Sequence, residues 1–120
     1  MIKMVVLLKR HPNLTLEEFC TYYEQKHAPL FLRAIPPDVA AAIQHYQQNH
    51  AMRIGRGTDP AYDCVTEFTF TDLVGLERWT AWYRGEGGKV LRDDEEKFMD
   101  IGRRVVIVTE ERPAAIEGSC

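Results

Sequence analysis

The residues best suited to chemistry in this 120-residue chain are a histidine, a carboxylate and a set of tyrosines. His27 stands just before Ala28-Pro29. Histidine is the side chain whose ordinary pKa lets it trade protons near neutrality. At a helix C-terminus its cation would also be stabilised by the dipole. His27 therefore reads as a general acid/base, or as a structural histidine bonded to a carbonyl freed by Pro29. Tyr23 precedes it by four residues and shares its helix face. His45 and Glu67 fall on segments that read as neighbouring strands, where Glu67 can orient or recharge a histidine. Their plainer reading is a solvated edge residue and a surface ion pair.

Aromatic side chains are plentiful, and Tyr23, Phe31, Tyr46, Tyr62 and Trp82 are candidates to line a pocket for a flat ligand. Aromatics at helical spacing, such as Trp79 and Trp82, also serve simply as core. The run Asp93-Asp94-Glu95-Glu96 is no metal site, because consecutive carboxylates point around a helix and cannot all meet one ion. Near a helix start such residues complement the dipole and read as structural. Gly85-Glu86-Gly87-Gly88 lacks the Lys-Ser/Thr ending of a phosphate loop. The sole serine, Ser119, lies near the chain end, which excludes a serine-hydrolase elbow. His11, His45 and His50 have no zinc-type spacing. Cys20, Cys64 and Cys120 are odd in number and read as reduced thiols of a cytoplasmic protein, with Cys120 an exposed thiol. No metal or cofactor is expected.

Elements that would position these groups are legible in turn. Ile2 to Lys9 is almost unbroken apolar sequence, which fits a strand buried on both faces rather than a signal peptide. Thr15 with Glu18 forms a capping box, flanked by Leu14 and Phe19, so a helix starts near Thr15. Leu16, Phe19, Tyr23 and Leu30 give its apolar stripe. Pro29 should end or kink it, leaving a short helical or irregular piece to Ile35. Val39 to Asn49 reads as a second strand with Ile43, His45 and Gln47 on one face. A loop, Met52 to Tyr62, leads to a third strand, Cys64 to Thr71, with Thr66, Phe68 and Phe70 on one side and Val65, Glu67 and Thr69 on the other. Asp72 caps a helix that the glycine run ends. A further helix spans Lys89 to Asp100, and Arg103 to Glu110 is a last strand, also expected to be buried on both faces.

Strand, helix, strand, strand, helix, strand is the α+β ferredoxin-like arrangement, βαββαβ with a four-stranded antiparallel sheet. One layer of helices covers one face only, so a second copy is the expected cover for the other. The domain is expected over residues 1–111, with a flexible tail over 112–120. Net charge is −3 and pI about 5.8, which argues against a nucleic-acid footprint. No stretch is long and apolar enough for a membrane span.

Leu7-Leu8-Lys9-Arg10, Thr15 to Phe19, Tyr23 and Lys26-His27-Ala28-Pro29-Leu30 together resemble the N-terminal signature of EthD-domain proteins. Asp94 to Asp100 followed by a Val-rich strand is similar to that family's C-terminal end. The middle, Pro36 to Pro60, carries none of the resemblance, and substrate specificity would sit there. The resemblance implies a homodimeric α/β barrel with a cavity between each sheet and its helices, and it puts His27 in the site. Its relatives include polyketide decarboxylases, dehydratases and cyclases and a protein linked to ether degradation. Other branches of the superfamily are cofactor-free monooxygenases or bind haem. The expected function is a cofactor-independent lyase or cyclase acting on a small aromatic or polyketide-derived carbonyl compound. Catalytic candidates are His27, Glu67 and His45, with a tyrosine hydroxyl stabilising an enolate. A non-catalytic carrier of a hydrophobic metabolite and a cofactor-free monooxygenase are the alternatives.

Overall fold

The computed structural model describes residues 1–55 and 57–116, so the expectations for Cys120 and the last four residues of the tail lie outside it. Four strands, β1 (Ile2–Leu8), β2 (Ile43–His50), β3 (Cys64–Phe70) and β4 (Val105–Glu110), form one sheet. Their order is β2-β3-β1-β4 and every neighbouring pair is antiparallel. This is the ferredoxin-like fold that the element order predicts.

The first crossover is one helical run in two pieces. α1 (Leu16–Tyr22) starts at Thr15, whose hydroxyl accepts from the Glu18 N–H while the Glu18 carboxylate accepts from the Thr15 N–H. Of the two outcomes expected at Pro29, the helix does not end there but continues as a second short helical piece. A π-turn, Tyr23–His27, widens the helix so that the Ala28 N–H reaches the Tyr23 carbonyl, and α2 (Ala28–Ala34) continues through the proline. Pro29 lacks the N–H that a regular turn would use there, and the wider turn absorbs the mismatch. A short α3 (Pro37–Ala40) then replaces the start of the expected second strand. The second crossover is α4 (Leu73–Arg84), capped by Asp72 Oδ1 on the Gly75 N–H at 3.1 Å, followed by α5 (Lys89–Phe98).

All the helices lie on one face of the sheet. Ile2, Met4, Val6 and Leu8 of β1 stand opposite Phe70, Phe68, Thr66 and Cys64 of β3 on that face. One core cluster joins Val6, Leu8 and Cys64 to Phe19, Tyr23 and Phe98; a second joins Phe68 and Phe70 to Phe31, Trp79 and Leu91. Phe19 and Phe98 are fully buried with ring centroids 5.6 Å apart, tying α1 to α5. Burial of each ring contributes roughly 1.5–3 kcal/mol.

Two expectations about the sheet need correction. A register shift between Ile43 and His45 sets Ile43 opposite Phe70, on the helix side, while His45 and Gln47 face away. Simple alternation had put the three together, and the irregularity breaks it. The first and last strands of the chain, β1 and β4, are also not closed on both faces. Val106 and Val108 of β4 remain 52% and 51% exposed, because β4 is an edge strand beyond the helical cover. Val5 and Leu7 of β1 are half-buried, with no helix over them.

The α4–α5 corner is tight. Arg92 Nη1 donates to the Tyr83 and Gly85 carbonyls, satisfying the end of α4. A Cβ on the buried Gly88 would overlap the Tyr83 backbone, which cannot move aside as a side chain would. Gly88→Ala is therefore expected to cost about 3 kcal/mol by overpacking and to lower the melting temperature by roughly 10 °C. An unchanged calorimetric melt would contradict this packing.

Candidate functional site

The apolar stripe of α5 carries two carboxylates. Leu91, Asp94, Glu95 and Phe98 follow the i, i+3, i+4, i+7 pattern and all four are buried. Across from them is His27, in the π-turn, 4% exposed. Its Nδ1 lies 2.9 Å from Asp94 Oδ2, and its Nε2 lies 3.6 Å from Glu95 Oε2. A carboxylate oxygen accepts, so Nδ1 donates, and that sets the ring orientation. Phe98, centroid 4.9 Å away, and Tyr23, 5.7 Å away, pack the imidazole in place.

Each carboxylate has its own support. Tyr22 donates its hydroxyl to Asp94 Oδ1 at 2.6 Å. Tyr83 donates to Glu95 Oε1, which also accepts from Arg104 Nη1 at 2.9 Å. Buried carboxylates need such partners. Burial and the Asp94 contact push the Tyr22 phenol up to about 12, and burial and the Glu95 carboxylate push Tyr83 up to about 12. Burial of Arg104 opposes its charge, but Tyr83 and Glu95 outweigh that and raise its pKa, so it stays a cation.

Glu95 and His27 line a cavity of about 340 Å³ between the sheet and the helices. Its other walls are mostly apolar, with Phe31, Phe68, Leu76 and Trp79 among them. One polar chain crosses it. Gln48 Nε2 donates to the Tyr46 hydroxyl at 3.0 Å, Tyr46 donates to the Tyr23 hydroxyl at 3.3 Å, and Tyr23 meets Thr66 Oγ1 at 2.7 Å. Burial raises the pKa of both Tyr23 and Tyr46, so they serve as neutral donors. Cys64 follows at 3.6 Å from Thr66, and burial lifts its thiol to about 11, too high for a thiolate nucleophile at neutral pH.

Of the residues singled out from sequence, His27, Tyr23, Phe31 and Tyr46 meet at this cavity. Trp82 packs against Trp79, centroids 5.6 Å apart, and does not line it; nor does Tyr62, half-buried just before β3. His45 and Glu67 do share a face, but it is the face away from the helices. Thr66 and Phe68 face the cavity, so strand alternation turns Glu67 from it. Glu67 instead accepts from Lys3 at 3.4 Å and Asn49 at 2.9 Å. With His45 it borders a separate hollow of about 330 Å³ on the outer face. Neither reaches His27, whose partners are Asp94 and Glu95.

Those two carboxylates and Arg104 are what sequence reasoning missed. The acidic run sits in the middle of α5, not its first turn, so the dipole accounts for none of its burial. The available signal was the periodicity: Asp94 and Glu95 occupy the stripe between Leu91 and Phe98. Among the described residues no group of three or more His, Cys, Asp or Glu side chains is placed to hold a metal ion. No described helix is long and apolar enough to cross a membrane.

A βαββαβ layer with a buried histidine–carboxylate cluster on the wall of a sheet–helix cavity defines an α+β protein built around an internal chamber. The EthD domain family model matches residues 11–102, and the chain belongs to that family. No curated protein matches the sequence. Among solved structures, the chain is similar to an ethyl tert-butyl ether d (EthD) family protein from Bacillus halodurans. Identity is 22%, the TM-score is 0.64, and 93% of this chain and 99% of that one are covered. An EthD-like protein from Ralstonia eutropha gives 17% identity and a TM-score of 0.64, covering 91% and 89%. A dimeric protein of unknown function with a ferredoxin-like fold from Bacteroides fragilis gives 15% and 0.58, covering 92% and 95%.

The tyrosine environments make alkaline pH informative. Below pH 10 the phenols of Tyr22 and Tyr83 are protonated folded or unfolded, and their contribution to stability is whole. Between 10.0 and about 12 the unfolded chain ionises first, so stability falls as pH rises through that window. Phenolate absorbance of these tyrosines should appear only above the ordinary tyrosine range, with the urea midpoint dropping over the same interval. Ionisation of all five tyrosines near 10 without unfolding would contradict the site.

Proposed function

We propose that this protein is a cofactor-independent enzyme in which His27 moves a proton on a small aromatic or polyketide-derived carbonyl compound held in the cavity. The observation that carries the reading is the His27 imidazole, buried and bonded through Nδ1 to Asp94, with Nε2 at the cavity wall beside Glu95. With Nδ1–H committed to Asp94, the neutral ring presents a lone pair at Nε2. It takes a proton from the carbon next to the substrate carbonyl, and the C–H electron pair moves onto oxygen as an enolate. Glu95, 3.6 Å from Nε2, stabilises the imidazolium so formed. The long 3.3 Å contact leaves the Tyr46 hydroxyl free to turn and donate to the enolate oxygen. In a cyclisation the enolate carbon attacks a second carbonyl of the substrate, whose C–O π pair moves onto oxygen and takes the proton back from the imidazolium; in a dehydration the enolate collapses and expels a β-hydroxyl, which leaves as water with that proton. In a decarboxylation His27 takes the proton of a β-keto acid, the C–C electron pair becomes the enolate as CO₂ leaves, and the imidazolium returns the proton to carbon.

His27→Gln keeps a donor toward Asp94 but cannot exchange protons. It should lower kcat on an aromatic β-ketoacyl substrate by about 10²- to 10⁴-fold, the usual worth of general acid–base catalysis, while the melting temperature stays close to that of the parent. Undiminished turnover would remove His27 from the chemistry. Tight binding without turnover in the parent, unchanged in the variant, would favour a carrier.

We infer further that two copies pair through the sheet faces away from the helices. Val5 lies opposite Ile107 and Leu7 opposite Val105 there, making an apolar patch with no cover in the single chain. The Bacteroides fragilis relative is described as dimeric. Sedimentation should give twice 13.8 kDa for the parent and the single-chain mass for Ile107→Lys. A monomeric parent would rule the pairing out.

A further inference from the structure

The cavity has a mouth, and its charge is uneven. Three lining residues are exposed: Arg84 at the end of α4, and Val106 and Val108 on β4. The opening therefore lies between the C-terminus of α4 and the β4 edge. Two guanidinium groups line this cavity, Arg84 and Arg104, against one carboxylate, Glu95. Glu95 is already matched by Arg104, whose Nη1 lies 2.9 Å away. Arg84 makes no hydrogen bond or ion pair with any described residue. A basic residue in the last turn suits the helix dipole, but the dipole does not ask it to face the chamber. Arg84 does face it, because Leu76, Trp79, Thr80, Tyr83 and Arg84 form the one stripe of α4 that lines the cavity.

We propose that the cavity takes an aromatic molecule bearing a carboxylate, with the ring among Phe31, Phe68 and Trp79 and the carboxylate on Arg84. Arginine is the side chain whose planar fork matches a carboxylate with two parallel hydrogen bonds. The deeper wall explains the ring: Phe68 and Trp79 stack at 5.1 Å, and Phe31 closes against both. Anchored at the mouth, the far end of such a ligand is directed inward toward His27. This rests on the reading above that the cavity is the substrate site, and it adds the charge the substrate carries.

The probes are 2-naphthoate and its uncharged counterpart 2-naphthamide, titrated calorimetrically at neutral pH into the parent and into Arg84→Gln. The parent should bind naphthoate about tenfold or more tightly than the amide. In Arg84→Gln the preference should vanish, with amide affinity unchanged. Equal binding of both probes by the parent, or a preference that survives Arg84→Gln, overturns the carboxylate assignment and leaves the cavity reading standing. Failure of both probes to bind overturns the assignment together with the cavity on which it rests.

Discussion

A histidine ring and a carboxylate buried together hold the two halves of the helical layer. His27 comes from the first crossover and Asp94 from the second, 67 residues further on, and their 2.9 Å bond lies where water has little access. Removing one partner of such a buried pair typically costs about 3–5 kcal/mol, because the survivor is left without water or a mate. The chain therefore surrounds the pair with further partners. Tyr22 serves Asp94, Tyr83 and Arg104 serve Glu95, and Phe98 and Tyr23 clamp the ring. Both helical segments are thus fixed by the groups that form one wall of the chamber, so fold and site share one set of contacts.

Much of the scaffold is legible in the sequence because its signals are local. Thr15 and Glu18 bond to each other's backbone within one turn, and Asp72 caps α4 one-sidedly, its carboxylate accepting from the Gly75 N–H. Alternation over Cys64 to Phe70 reports a strand whose two faces differ, and the structure keeps that division. His27 and Tyr23 were also visible as a pair on one helix face. What stayed hidden depends on non-local geometry. The irregularity at Ile43–His45 depends on how β2 meets β3. The fate of Pro29 depends on whether the helix can widen, which a proline rule read along the chain does not report. Asp94 and Glu95 look like any solvated acidic run until the opposing histidine is in place. Their position on the Leu91–Phe98 stripe is the one local sign that they are buried.

The π-turn has a physical role. Widening the helix over Tyr23–His27 lets the run pass Pro29 without a break. The histidine lies inside that turn, buried and aimed at α5, rather than at a frayed helix end. Membership of the EthD family fixes the scaffold, and scaffolds of this kind carry more than one chemistry. What favours proton transfer is this chain's own atoms: Nδ1 bonded to Asp94, Nε2 beside Glu95 where both residues line a largely apolar chamber, and neutral phenols as donors nearby.

The central claim is that Asp94 holds His27 as the Nδ1–H form, leaving Nε2 as the working nitrogen. Long-range proton–nitrogen correlation spectra of the histidine rings read this directly. The account predicts that, while His27 is neutral, Nδ1 carries a slowly exchanging, downfield proton and Nε2 resonates as an unprotonated nitrogen. A neutral ring with its proton on Nε2, or a ring proton exchanging as fast as in free histidine, would contradict it.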